Sequence, residues 1–268
     1  MTLDNKRINI IITTCLTAIF FVGSYFIVTQ EIVNIEHNLT TTSAERASNV
    51  KAKFVLVQSF IETLRDNMQQ SLTWQAEVKE NHGALDSFVD YPSFGITVIS
   101  KDRSLDKTKY WYDISGVVAA SGSKKDLTEE SKNEISATIQ MQSIFENAVN
   151  TIPDLMWAYY ISKQSFIYVF PYYESKLSNL VVDAFEKEYW IKAASANNPD
   201  RRLVMTDVYA DVSGKGYMVT FSIPVYNKDS MKGIVAIDLS LASINELLSE
   251  DLQIGSSFLL DEKNTILA

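Results

Sequence analysis

From Ile8 to Val28 the chain runs mostly through Ile, Leu, Phe, Val, Ala and Thr without a charged residue. As a helix that stretch is about 30 Å long, the thickness of a bilayer's hydrocarbon core. A cleaved signal peptide has a shorter apolar centre and a small-residue exit, whereas this run ends in Tyr25, Phe26, Ile27 and Val28 and continues into helix-forming sequence. It predicts a retained membrane anchor. Lys6 and Arg7 precede it with only Asp4 opposing them, so residues 1–7 are expected in the cytoplasm and everything past the anchor outside it. From Glu31 to about Val78 there is hardly a helix breaker. Ile32, Ile35 and Leu39 make a thin apolar seam, then Val50, Phe54, Val57, Ile61, Leu64, Met68 and Leu72 make a full stripe at intervals of three and four. The thin seam predicts a stalk pairing with its copy in a homodimer, and the stripe predicts core packing within one subunit.

After His82 and Gly83 the pattern shortens to β-rich runs divided by turn chemistry. Phe94 to Ser100 and Trp111 to Ala120 read as strands, the second ending in Ser121-Gly122-Ser123. A helix is expected from Asp126 to Pro153, with acidic residues in its first turn and Ile135, Ile139, Ile144, Phe145 and Val149 on its apolar face. Met156 to Ser162 and Phe166 to Phe170 read as a hairpin, and Tyr189 to Ala196 as a short helix. Met205 to Ala210, Gly216 to Val225 and Gly233 to Leu239 follow as strands, then Ser240 to Leu248 as a helix. The order predicts an α+β fold, an antiparallel sheet with helices on one side. Gly255 to Leu260 and Thr265 to Leu267 start a new hairpin, and the expectation is a piece of a longer protein.

Composition narrows the classes. The chain has 268 residues, 46% hydrophobic and 11% aromatic, enough for a real core rather than disorder. Its net charge of −9 argues against nucleic acid or an anionic lipid surface as partner. Cys15, the single cysteine, lies in the anchor, so the external part has no disulfide and must be held by packing. His37 and His82 stand far apart without a thiol or carboxylate at ligand spacing, and neither a metal nor a cofactor is expected.

The stretch from Phe185 to Leu241 carries a family resemblance. It has an aromatic pair before an Ala-rich helix (Tyr189, Trp190), a T-x-x-Y-x-D strand (Thr206, Tyr209, Asp211), a strand ending in Pro224-Val225, and G-x-V-x-x-D (Gly233, Val235, Asp238). These resemble the double Cache (PDC-type, tandem PAS-like) sensor domains of bacterial membrane receptors. Residues 153–171 look like the hairpin of a branch often fused to GGDEF-type diguanylate cyclases or sensor histidine kinases. With the anchor and stripe read above, the expected division is a cytoplasmic tail at 1–7, a transmembrane helix at 8–28, and a stalk and long helix of the sensor at 29–78. The resemblance implies a membrane-distal ligand-binding module at 79–240 and the beginning of a membrane-proximal module at 241–268. The anchor and the resemblance together imply the bacterial inner (plasma) membrane, with the sensor periplasmic or extracellular.

In that family a small ligand is held between the curved sheet and an overlying loop, and the pocket positions map onto Trp190, Tyr209, Asp211 and Asp238. Two carboxylates can pair with an ammonium group and two aromatic faces can cover it. Members that bind amino acids grip the ligand's carboxylate with an arginine two residues before the tryptophan; here that position is Glu188, and their preceding tyrosine is Asp183. That departure shifts the expected ligand toward a cationic amine. Read singly, Asp211 before a Ser-Gly turn also fits local hydrogen bonding, and Tyr209 and Trp190 also fit as core aromatics. Asp238 is more telling, because an acid closing an apolar strand is costly to bury without a partner. The chain is therefore expected to be a signal-input region, not an enzyme, with a diguanylate cyclase, a histidine kinase and a chemotaxis receptor as effectors in that order. An envelope enzyme fits poorly, since neither G-x-S-x-G nor H-E-x-x-H is present. A structural or adhesion module would need a surface contact rather than an enclosed polar pocket.

Overall fold

The computed structural model of the chain describes residues 4–78, 83–100, 114–171, 183–211, 214–249, 256–260 and 266. Two units are distinguished, Met1–Asn49 and Val50–Ala268. Helix α1 (Asn5–Val78) is continuous. Within the first unit Ile10, Leu16, Phe20, Phe21, Tyr25 and Phe26 are exposed, and the helix is long and apolar enough to cross a membrane.

In the second unit the helical stripe is buried as its spacing predicts: Val50, Val57, Ile61, Leu64, Met68 and Leu72 all join one apolar core, with Phe54 half-buried against it. This face packs on an antiparallel sheet. Its strands are β1 (Val89–Tyr91), β2 (Ile96–Ser100), β3 (Val117–Ser121), β4 (Leu155–Ser162), β5 (Phe166–Phe170), β6 (Val204–Met205), β7 (Tyr209–Ala210), β8 (Tyr217–Asn227) and β9 (Ser230–Ser240). Among the described residues the order is β1-β2-β3-β5-β4-β9-β8-β6, with β7 also on β8. Phe54 meets Phe221 of β8 at 5.6 Å between ring centroids, and Gln69 accepts the backbone N–H of Tyr226 at 3.0 Å, tying α1 to the sheet.

The helix expected between Asp126 and Pro153 is two. α2 (Glu129–Gln140) opens on Thr128, whose hydroxyl accepts the Ser131 N–H at 3.1 Å, with Glu129 and Glu130 in the first turn. At Met141 the chain turns and restarts as α3 (Gln142–Thr151). No proline or glycine causes the break; it buries Met141 itself and turns Phe145 and Ala148 into the core, so packing decides it.

The expectation of helices on one side of the sheet is also revised. Strands β4 and β9 are buried on both faces. α1, α2 and α3 cover one face. The other is covered by the segment 184–211, including the short helix α4 (Glu188–Ala193), through Ala184, Phe185, Tyr189, Trp190, Ala193, Val204 and Tyr209. Period-two alternation along β4 sorts its side chains: Ala158 and Tyr160 face the long helices, Trp157, Tyr159 and Ile161 the opposite cover. The strand expected from Met205 to Ala210 is the pair of short strands β6 and β7. Helix α5 (Leu241–Ser249) follows β9, and Leu260 bridges Ile266 antiparallel; the turn between them, like Trp111 to Asp113 and Ser213, lies outside the described residues.

Close approach requires glycine at Gly116, where a Cβ would lie 2.6 Å from the Val169 carbonyl oxygen, and at Gly233. A Cβ on Gly233 would lie 2.1 Å from the Ile161 carbonyl oxygen and 2.7 Å from the Tyr160 hydroxyl. That hydroxyl donates to Glu134 of α2 at 2.6 Å, and Ser162 donates to the same carboxylate oxygen. Glu134 is 3% exposed; burial pushes its carboxyl up, and the two hydroxyls pull it partly back.

Candidate functional site

Asp238 sits near the end of β9, opposite Thr220 on β8 and Trp157 on β4. Directly opposed residues of an antiparallel ladder project from the same face, so these three form a row on the face away from α1. Asp238 is 4% exposed. Its Oδ1 accepts the Thr220 hydroxyl at 2.6 Å and the Tyr159 hydroxyl at 2.9 Å. Tyr209 extends the chain, its hydroxyl 2.5 Å from Thr220 Oγ1. Burial pushes the Asp238 carboxyl up to about 7; the hydroxyls of Thr220, Tyr159 and Tyr209 oppose that shift, and the negative charge of Asp211 adds to it. Burial likewise pushes the phenols of Tyr159, Tyr189 and Tyr209 up, so they stay neutral and can donate.

The T-x-x-Y-x-D motif has a structural basis. Thr206 is tied to the backbone of Thr220 twice, through its own N–H at 3.0 Å and through its hydroxyl, which accepts the Thr220 N–H at 2.9 Å. Three residues on, Tyr209 in β7 reaches Thr220 from above, and two further on Asp211, 8% exposed, closes the β7–β8 turn. Asp211 Oδ2 accepts the Lys215 N–H at 3.1 Å, the local hydrogen bonding anticipated for an acid at such a turn. The same carboxylate acts on Asp238 through its charge.

Asp238, Tyr209 and Asp211 are thus brought together. Trp190 is half-buried in the same outer-face cluster, and its described ring contact is with Phe185, edge to face at 4.6 Å. The aromatic of that pair beside the carboxylate is Tyr189: its ring meets Tyr159 at 5.8 Å, and Asp238 raises its phenol. The Tyr189 carbonyl accepts the Ser222 hydroxyl at 2.8 Å, fastening α4 to β8. Glu188 pairs with Lys192 at 2.5 Å and accepts the Asp207 N–H at 3.2 Å.

Sequence reasoning did not single out Tyr159, Thr220 or Tyr189 for the site. Tyr159 had a signal: in the run from Trp157 to Tyr160, alternation puts Trp157 and Tyr159 on one face and Tyr160 on the other. Which face carries Asp238 depends on register, which no local pattern shows. A further polar group stands here: the Lys215 ammonium lies 3.6 Å from the centroid of the Trp157 ring. Among the described residues no group of three His, Cys, Asp or Glu could hold a metal ion. Chemically, the arrangement offers a buried carboxylate, neutral hydroxyl donors and aromatic walls, which suits recognition of a cation.

Residues 124–246 match the family model described as methyl-accepting chemotaxis protein-like, first PDC sensor domain. No curated protein matches the chain. Solved structures similar to it include the ligand-binding domain of the Pseudomonas aeruginosa PAO1 amino acid chemoreceptor PctC in complex with GABA. That similarity has 20% identity, a TM-score of 0.37, and coverage of 48% of this chain and 55% of that one. Another is the ligand-binding domain of the Pseudomonas fluorescens chemoreceptor CtaA in complex with L-isoleucine, at 19% identity, TM-score 0.38, and 47% and 49% coverage. A third is that of the Campylobacter jejuni chemoreceptor Tlp3 in complex with 4-methylisoleucine, at 16% identity, TM-score 0.41, and 85% and 69% coverage. The chain spans about half the length of the first two. The segment 124–246, which contains β4, β5, β8 and β9 and all four candidate residues, is thus similar to a PDC-type sensor domain of the chemoreceptor-like class.

Proposed function

We propose that the second unit is the external ligand-binding domain of a membrane receptor and that its ligand carries an ammonium group received by Asp238. The observation that carries this reading is the buried Asp238 carboxylate, aligned by Thr220 and Tyr159 on the sheet face that segment 184–211 covers. Burying such a group without a countercharge is costly, and a ligand cation relieves that cost. Asp211 adds a second negative charge, and Tyr209, Tyr189 and Trp190 supply aromatic surface. Glu188 is engaged with Lys192, so no arginine fork meets a ligand carboxylate at that position, which favours a simple amine over the corresponding amino acid.

The description of the family model favours a chemotaxis receptor as the whole protein. It gives the diguanylate cyclase, ranked first from sequence, no support. The anchor at residues 8–28 would hold the receptor in the bacterial inner membrane as a homodimer, and ligand binding would bias the state of α1 by its differential affinity for two arrangements. Calorimetry on the detergent-solubilised chain with matched pairs, an amine and its parent amino acid, tests the ligand reading. Tighter binding of the amine is expected. Equal or tighter binding of the amino acid overturns the amine preference, and an Asp238→Asn variant that binds normally overturns the site.

A further inference from the structure

Lys215 carries the one ammonium group described over an aromatic ring of this face, and both ends of its placement are fixed. On the backbone side the β7–β8 turn is closed on Asp211: the Asp211 N–H donates to the Gly216 carbonyl at 2.8 Å, the Gly214 N–H to the Asp211 carbonyl at 3.0 Å, and the Lys215 N–H to Asp211 Oδ2 at 3.1 Å. At the other end the Lys215 ammonium is 3.6 Å from the Trp157 ring centroid, well within cation–π range. Trp157 is 7% exposed and directly opposite Asp238 in the ladder. A cation of the chain's own therefore rests on an aromatic face one strand from the buried carboxylate. The ring face that holds it is of the kind that would hold a ligand cation.

We propose that Lys215 is a tethered competitor that sets the affinity of the site: its ammonium occupies the Trp157 face in the free protein and leaves it when a ligand cation enters beside Asp238. The inference rests on the ammonium-binding reading given above. A group on the same chain competes at a high effective concentration, so even a weak contact raises the ligand concentration needed to displace it. A partly exposed cation–π contact corresponds to a penalty of about fivefold in apparent affinity.

The experiment is calorimetric titration of the solubilised full chain with n-butylammonium, comparing the wild type with Lys215→Met, which keeps the apolar stem, and Lys215→Arg, which keeps a cation over the ring. Lys215→Met is expected to bind about fivefold more tightly and Lys215→Arg about as the wild type does. Equal or weaker binding by Lys215→Met, beside a wild type that binds and an Asp238→Asn variant that binds at least about tenfold more weakly, overturns the competitor role while leaving the site standing. Failure of the wild type and of Lys215→Met alike to bind overturns the site reading and this proposal together. Lys215 is exposed, and an unchanged melting temperature in Lys215→Arg and Lys215→Met shows that the comparison is between folded proteins.

Discussion

Asp238 links ligand recognition to proton binding. In the unfolded chain its carboxyl titrates at the ordinary value of 3.8, and burial in the folded domain pushes it up to about 7. Between those values the folded state holds a proton that the unfolded state has lost. The contribution to stability is therefore fully present below 3.8 and is lost as pH rises through about 7. The ligand-free chain should show a melting temperature that falls from pH 5 to pH 8 relative to Asp238→Asn, which has no carboxyl to ionise; parallel curves for the two would refute the linkage. Ligand binding runs the opposite way, because the ionised carboxylate is the form that meets an ammonium. From pH 5.5 to pH 8 the affinity for n-butylammonium should rise by up to about thirtyfold, the ratio of ionised fractions. Asp238→Asn should lose that pH dependence and weaken binding at pH 8 by about 1.5–3 kcal/mol through loss of a charge-assisted hydrogen bond.

At the scale of elements, the junction of β4, β9 and α2 is tightly specified. Gly233 leaves room for the Tyr160 ring, Tyr160 reaches Glu134, and Ser162 at the end of β4 joins it there. An alanine at 233 would press on the Ile161 carbonyl, a backbone atom held by the β4–β9 ladder, so relief requires the strands to move. Gly233→Ala is expected to cost about 2–4 kcal/mol in chemical denaturation. A loss below about 0.5 kcal/mol would show that the ladder yields there cheaply. The site lies on the opposite face of the same two strands, so a variant that loosens the junction should also weaken ligand binding, with Asp238 itself untouched.

For the molecule as a whole, orientation and association are open to direct test. Ser121 stands exposed at the end of β3, and with Cys15 replaced by serine a Ser121→Cys variant carries one thiol. That thiol should react with a membrane-impermeant reagent in intact spheroplasts, as Lys6 and Arg7 before the anchor require. Labelling only after lysis would reverse the topology. Ile32, Ile35 and Leu39 are exposed apolar residues on α1. If they form the seam of a homodimer, single cysteines from Glu31 to Arg46 should crosslink with a helical period, whereas a flat profile would remove the paired stalk.

What could be read from the chain alone was whatever depends on neighbours a few residues apart. The charge-free run to Val28, the three-and-four spacing from Val50 to Leu72, the Met156 to Phe170 hairpin and the α+β order are all local patterns, and from Val50 to Leu72 and along the hairpin burial follows them. Asp238 could be suspected for the same reason, as an acid ending an apolar strand. Its surroundings could not be read so. Thr220 lies 18 residues away and Tyr159 lies 79 away, and they meet Asp238 only because β8 and β4 flank β9 in one particular register. The turn at Met141, the choice of Tyr189 as the ring beside the carboxylate, and the ammonium of Lys215 on Trp157 are of the same kind. Each is settled by which faces of distant segments are forced together when the sheet is covered on both sides, and no local propensity encodes that.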